Sequence, residues 1–318
     1  MPHFNDYLGN NPLTYVRKLM THFNFQEPPI PIEEISKFLG LSIVDVDPPP
    51  EMATPALHKA LTTVPCWLER SEKKISVYKR APKKRRRLGI SHENTHFIIP
   101  YHVGINPFCS GADDPTSRKY TEREAFMGGA AMLFYPKLFI EDVLSTSSIS
   151  LDIIQKLSAR YDGSLEATAN WYARTHPQIC AIVIAEPPTQ EEAVDEFLQD
   201  QFGLPINVKP HTPSPSARNW LPASGGFREE INFVMQVKYS ITSIRFPKWI
   251  PPRTRIPDTS LIYKTFVTGK HCSGEIPASD LGSSSRWRYN AECMPMGDGS
   301  SNVMALIWLP DKQMDLAI

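Results

Sequence analysis

The stretch RRRLGISHENTHFIIPYH, from Arg85 to His102, carries the pattern on which the reading of this chain turns. Within it, His92, Glu93, Asn94, Thr95 and His96 fit H-E-x-x-H, and Pro100 stands beyond the second histidine. Two histidines at i and i+4 on an α-helix project from one face about one turn apart, so their ring nitrogens can converge on one ion. Glu93 lies beside the first of them. Its carboxylate is expected to stay off the ion and to take a proton from a water as that water attacks a carbonyl. Random placement of the chain's histidines and glutamates would yield this pattern with a probability on the order of one in a hundred, so chance is a weak competitor.

The flanks add context. Arg87, Leu88, Gly89 and Ile90 lead into Ser91, which is expected to cap or open the helix, and Phe97, Ile98 and Ile99 give it a core face. Pro100 has no N–H to donate, so it ends the helix after His96 and leaves the three functional side chains inside it. Just upstream, residues 79–87 (KRAPKKRRR) are the one strong charge run. It reads as a solvated loop plus the first turn of a helix, because no aromatic residues interleave it as a nucleic-acid surface would require.

A tetrahedral catalytic site needs a third protein ligand. Glu122 and Glu124 stand at the start of EREAFMGGAAMLFY, which reads as a helix capped by Thr121 with small residues for close approach. His102 is the nearer alternative and is otherwise a surface or loop histidine. A carboxylate from a second helix reaches such a site more easily than a histidine six residues on and past a proline.

Further out, residues 11–23 read as a first helix capped by Asn11, and IEEISKFLGLSIVDV reads as a helix, a Gly40 stop and a strand. VPCWLER and KKISVYK predict two short strands joined by a charged turn. Residues 48–55 and 103–120 read as loops. Two or three short helices follow Pro136, with Ser150 and Ser164 as caps, in a spacing that suits a helix-turn-helix-like unit. From residue 178 the texture changes. QICAIVIAE, INFVMQVKYSITSI, TSLIYKTFV, RWRYNAECMPM and NVMALIWLP alternate in the manner of strands, with a helix around EEAVDEFLQDQF, which predicts a second, α+β domain.

The bulk numbers exclude several classes. The 318 residues carry a formal net charge of +0, so no global field draws the chain to nucleic acid or to an anionic membrane. Thirty prolines against 16 glycines argue against an uninterrupted helical bundle. The 5 cysteines are scattered with no C-x-x-C pair, so neither a disulfide framework nor a cysteine zinc knuckle is indicated. No apolar run reaches membrane-spanning length, and a cytoplasmic protein with no membrane partner is expected.

Taken in order, IPIEEISKFLGLSI, ISVYKRAPKKRRRLGISHENTH and EREAFMGGAAMLFYP resemble the ImmA/IrrE family of metallopeptidases. Residues Arg87–His96 match that family's R-F-x-L-A-H-E-x-x-H, and Glu122-Arg123-Glu124-Ala125-Phe126 matches its third-ligand pattern E-x-x-A-N, with Phe126 in place of Asn. Thr95 replaces the usual Gly, on the far side of the helix. The resemblance covers roughly residues 28–176. It implies Zn²⁺ as cofactor, with Mn²⁺ as the alternative, held by His92, His96 and Glu122, with Glu124 the alternative third ligand and Glu93 the catalytic base. It also implies an α+β fold in three parts: a zincin-like metallopeptidase unit over 1–136, a helical helix-turn-helix-like unit over 137–177, and a GAF-like sensor domain over 178–318. The implied function is a site-specific endopeptidase that cleaves a helix-turn-helix transcriptional repressor in a stress or DNA-damage response, with a small ligand for the C-terminal domain and no direct nucleic-acid contact. The alternative is a non-enzymatic regulator with a structural or degenerate metal site.

Overall fold

The structure, a computed structural model, describes residues 12–48, 54, 57–58, 61, 65–102, 117–146, 148–188, 235–247, 249–297 and 301–310. The chain is of mixed α+β class and divides into two compact units, Met1–His176 and Pro177–Ile318. Asn11, most of the loops expected at 48–55 and 103–120, and the helix expected around 191–202 lie outside the described residues.

The first unit opens with α1 (Pro12–Phe23) and α2 (Ile32–Phe38). Val16, Leu19 and Met20 of α1 and Ile32 and Ile35 of α2 are buried, the spacing of one helical face. Gly40 follows α2 at φ +76°, a left-handed position that glycine adopts without a Cβ penalty. The chain then enters β1 (Ser42–Val46), followed by β2 (Cys66–Glu69), a 3₁₀ turn at Arg70–Glu72 and β3 (Lys74–Tyr78). The sheet order is β1-β3-β2, with β1 parallel and β2 antiparallel to β3. The charged turn expected between β2 and β3 is this 3₁₀ turn, closed by Lys73 at φ +49°.

The next helix, α3 (Lys83–Ile98), begins inside the basic run with Pro82 at its N-cap. This corrects the expectation that Ser91 opens the helix: nothing between Pro82 and Pro100 breaks it, and Ser91 lies mid-helix, its hydroxyl donating to the Leu88 carbonyl at 2.9 Å. Pro100 does end it, with Ile99 extended at φ −87° and ψ 113°. Helix α4 (Ser117–Leu133) likewise starts earlier than expected. Thr121 is therefore in its second turn and is not its cap, because Arg118, Lys119 and Tyr120 continue a helix as readily as they precede one. Three helices complete the unit: α5 (Pro136–Leu144), α6 (Leu151–Arg160) and α7 (Leu165–Thr175). Ser150 and Ser164 cap α6 and α7, their hydroxyls accepting from the Ile153 and Ala167 amides. Phe134, Phe139, Tyr161 and Trp171 pack together beneath these helices.

The second unit is built on an antiparallel sheet of six strands in the order β6-β5-β4-β9-β8-β7. These are β4 (Cys180–Glu186), β5 (Met235–Thr242), β6 (Arg255–Ile256), β7 (Cys272–Pro277), β8 (Arg288–Pro295) and β9 (Val303–Trp308). One face carries a core of Ala181, Val183, Val237, Ala291, Cys293, Ala305 and Ile307. Helix α8 (Leu261–Thr268) covers this core with Ile262 and Thr265. Its sequence, TSLIYKTFV, is expected to be a strand, and the structure corrects this. Ile262, Thr265 and Phe266 recur at helical spacing, and Gly269 at φ +61° supplies the left-handed stop, so packing overrides the β-propensity of the side chains. No helix among the described residues is long and apolar enough to cross a membrane.

Candidate metal centre

Helices α3 and α4 bring the candidate ligands together because their backbones cross closely. A Cβ built on Gly129 would lie 2.8 Å from the His92 nitrogen, and one on Gly128 would lie 2.3 Å from Thr95 Cγ2. Only glycine fits at either position. Thr95, far from being on a free face, is fully buried at this crossing. On the α3 face that α4 meets, His92 Nε2 and His96 Nε2 are 3.0 Å apart. Glu122 places Oε2 3.2 Å from His92 Nε2 and Oε1 3.4 Å from His96 Nε2. Among the described residues, His92, His96 and Glu122 form the one such group that could hold a metal ion.

The donor set suits a small divalent cation. Ligands about 2.0–2.1 Å from a tetrahedral centre stand about 3.3 Å from one another, and the three separations here bracket that value. Burial alone would raise the Glu122 carboxyl, but the imidazoles of His92 and His96 beside it hold it well below the usual carboxylate range. A negative charge is thus kept beside two imidazoles whose Nε2 atoms face each other.

Glu93 is not one of these three. It is 2% exposed, and burial pushes its carboxyl up to about 8, while the backbone N–H of Leu68 on β2 donates to it and opposes the shift. Glu122 acts on it through charge, so the two carboxylates share one neighbourhood. A carboxyl with a pKa near neutrality can both accept and return a proton. Phe126, one helical turn beyond Glu122, is 52% exposed, with its ring centroid 6.2 Å from that of His92.

The two alternative third ligands, Glu124 and His102, are bonded to each other. His102 Nε2 lies 2.9 Å from Glu124 Oε2, and both side chains are buried; His102 does stand in the loop after the helix, but not at the surface. Burial lowers the His102 pKa and Glu124 opposes that. Tyr101 donates to the other oxygen of Glu124 at 3.1 Å. Sequence reasoning also missed Arg70. Its guanidinium donates to the carbonyls of His96, Phe97 and Ile99 at 3.1–3.5 Å and lies over the Phe97 ring, which closes the C-terminus of α3. An arginine in a charged turn carries no local signal of such a partner.

The basic run is tied into the fold. Lys83 and Arg87 approach Asp162 at 2.8 and 3.6 Å, Lys84 donates to Ser158, Arg86 pairs with Asp45, and Arg87 donates to the Ile30 carbonyl. On the opposite side Asn94 accepts from Ser36 of α2 at 2.9 Å. The helix that carries His92 and His96 is thus fixed along its length.

No family model matches the chain, and no curated protein matches it. Among solved structures, a Mycobacterium tuberculosis transcriptional regulator is similar in fold, with a TM-score of 0.54 at 10% identity over 98% of this chain and 92% of that one. At that identity the likeness concerns the fold alone.

Proposed function

We propose that the chain is a zinc-dependent, site-specific endopeptidase. The observation that carries this reading is the convergence of His92, His96 and Glu122 beside a buried Glu93 that is not one of the three. A purely structural zinc has no use for that carboxylate. His92, His96 and Glu122 would hold the ion, which when bound supplies Lewis-acid polarisation and acidifies water. Manganese would be the alternative ion. Glu93, oriented by the Leu68 amide, accepts the proton of the attacking water and returns it to the leaving amine.

The resemblance of residues 28–176 to the ImmA/IrrE family supports a zincin-like unit followed by a helix-turn-helix-like segment, and the six-stranded antiparallel sheet supports a GAF-like sensor role for the second unit, where a small ligand would act. The substrate is then a helix-turn-helix transcriptional repressor in the cytoplasm, cleaved in a stress or DNA-damage response. The second reading is a non-enzymatic regulator with a structural or degenerate metal site.

Glu93→Gln separates the two. It keeps the shape of the side chain and all three ligands, so zinc content should stay at about one ion per chain while cleavage of repressor-like proteins falls about two to four orders of magnitude. His92→Ala, His96→Ala and Glu122→Ala should each lose the ion. If the zinc-loaded parent cleaves no such protein, the non-enzymatic reading becomes the better one.

A further inference from the structure

A second polar cluster lies behind the metal-binding face and meets it at one atom. His96 Nδ1 is 2.9 Å from His102 Nδ1, and His102 Nε2 is 2.9 Å from Glu124 Oε2. Tyr101 donates to Glu124 Oε1. His102 is 3% exposed and Glu124 5%, so water does not compete for these bonds.

With the carboxylate ionised and each imidazole neutral, the hydrogens along this chain have one arrangement. A carboxylate only accepts, so Glu124 takes the hydrogen on His102 Nε2. A neutral imidazole has one N–H, which leaves His102 Nδ1 bare and accepting. His96 Nδ1 must therefore donate. Its lone pair is then on Nε2, the atom 3.0 Å from His92 Nε2 and 3.4 Å from Glu122.

We propose that Glu124 and His102 are positioning residues that fix the tautomer of His96 and hold its Nε2 bare toward the centre. Their role toward an ion rests on the reading of His92, His96 and Glu122 as its ligands. Neither residue touches the centre. The opposite polarity would point an N–H into the space the three ligand atoms share and close it to a cation. Partners of this kind fix ring orientation as well as tautomer, and their loss weakens metal binding about 10–100-fold.

The test uses the full chain, metal-free, with its histidines labelled with ¹⁵N. Long-range ¹H–¹⁵N correlations report which ring nitrogen carries hydrogen. His96 is expected to be protonated at Nδ1 and bare at Nε2, and His102 the reverse; a bare Nδ1 on His96 overturns the proposal. Competition with a chromophoric chelator then measures affinity for Zn²⁺ alone. His102→Leu, which offers no acceptor, should bind about 10–100-fold more weakly. His102→Gln, whose amide can accept from His96 and donate to Glu124, should recover most of the loss. A folded His102→Leu variant with parental affinity overturns the proposal; if that variant does not fold, the tautomers of the parent still decide. A parent that binds no zinc but shows the stated tautomers sinks the peptidase reading and leaves the relay standing, whereas zinc binding with reversed tautomers sinks the relay alone.

Discussion

A methyl group on Gly129 would stand 2.8 Å from the backbone nitrogen of His92 and 3.0 Å from its Cα. The two helices of the candidate metal centre therefore meet backbone to backbone at His92, and Glu122 lies on the same stripe of its helix two turns earlier. Gly129→Ala should cost about 1–3 kcal/mol through overpacking. It should also weaken zinc binding, because pushing the helices apart withdraws Glu122 from both histidines. Denaturant midpoints and a zinc titration on the same sample check this; a variant with parental values in both would show that the crossing is slack.

The neighbouring contact offers a paired test. A Cβ on Gly128 would lie 2.3 Å from Thr95 Cγ2 but 3.2 Å from Thr95 Cβ. Gly128→Ala alone should destabilise the protein, and adding Thr95→Ala should relieve the clash. A coupling of about 0.5–3 kcal/mol in the double-mutant cycle is expected, the range for residues in direct contact. Strict additivity would mean that the two side chains do not meet.

Glu93 makes the metal-free protein lose stability as pH rises from about 4.5 to about 8. Its folded carboxyl is raised from 4.5 to about 8, so the folded state holds the proton more tightly than the unfolded chain does. The associated stability is fully present below the unfolded value and is lost as pH rises through the folded one. Between about 4.5 and 8 the unfolding free energy of the metal-free parent should fall relative to that of Glu93→Gln. Urea titrations of both proteins across that window, with chelator present, should show the difference; parallel curves would count against a buried neutral acid. Glu122, whose pKa is depressed, acts in the opposite sense and at lower pH, where its stabilisation is lost as the carboxylate protonates.

The basic run should not bind nucleic acid, since Lys83, Lys84, Arg86 and Arg87 already have partners inside the first unit. Neutralising Lys83, Lys84, Arg85 and Arg86 together should leave mixing with duplex DNA as silent as in the parent. It should cost little stability, about 1 kcal/mol or less per exposed pair. Micromolar binding by the parent that weakens with salt would contradict this, because counterion release is the mark of phosphate contact.

The spacing of His92, Glu93 and His96 was legible because a helix converts sequence separation directly into a shared face. From the residues alone Glu122 was one of two glutamates, and only the family resemblance preferred it. Residues two apart on a helix face different ways, so choosing between Glu122 and Glu124 needed the rotation of α4 against α3, which the Gly128 and Gly129 contacts set. The bond between His102 and Glu124 was hidden for a similar reason: each looked like a spare ligand, and nothing local to either segment names the other. In the second unit, periodicity found β4, β8 and β9 but misread Leu261–Thr268. Both alternate positions there are partly apolar, so a two-residue period and a helical one were both available until the sheet supplied a surface to cover.

Asp162, at φ +49° in the turn between α6 and α7, meets Lys83 and Arg87 in the first turns of α3. That turn sits between two serine-capped helices, and the same α3 segment reaches Ser158 on α6 through Lys84. The start of α3 is therefore moored to the helical segment as well as to the strands, which hold it through Arg86 and Asp45. A protein that gripped α6 and α7 and displaced their turn would drag on the hawser end of the rod that carries His92 and His96. The chain thus has a mechanical route by which an event at its helical flank reaches the spacing of His92 and His96.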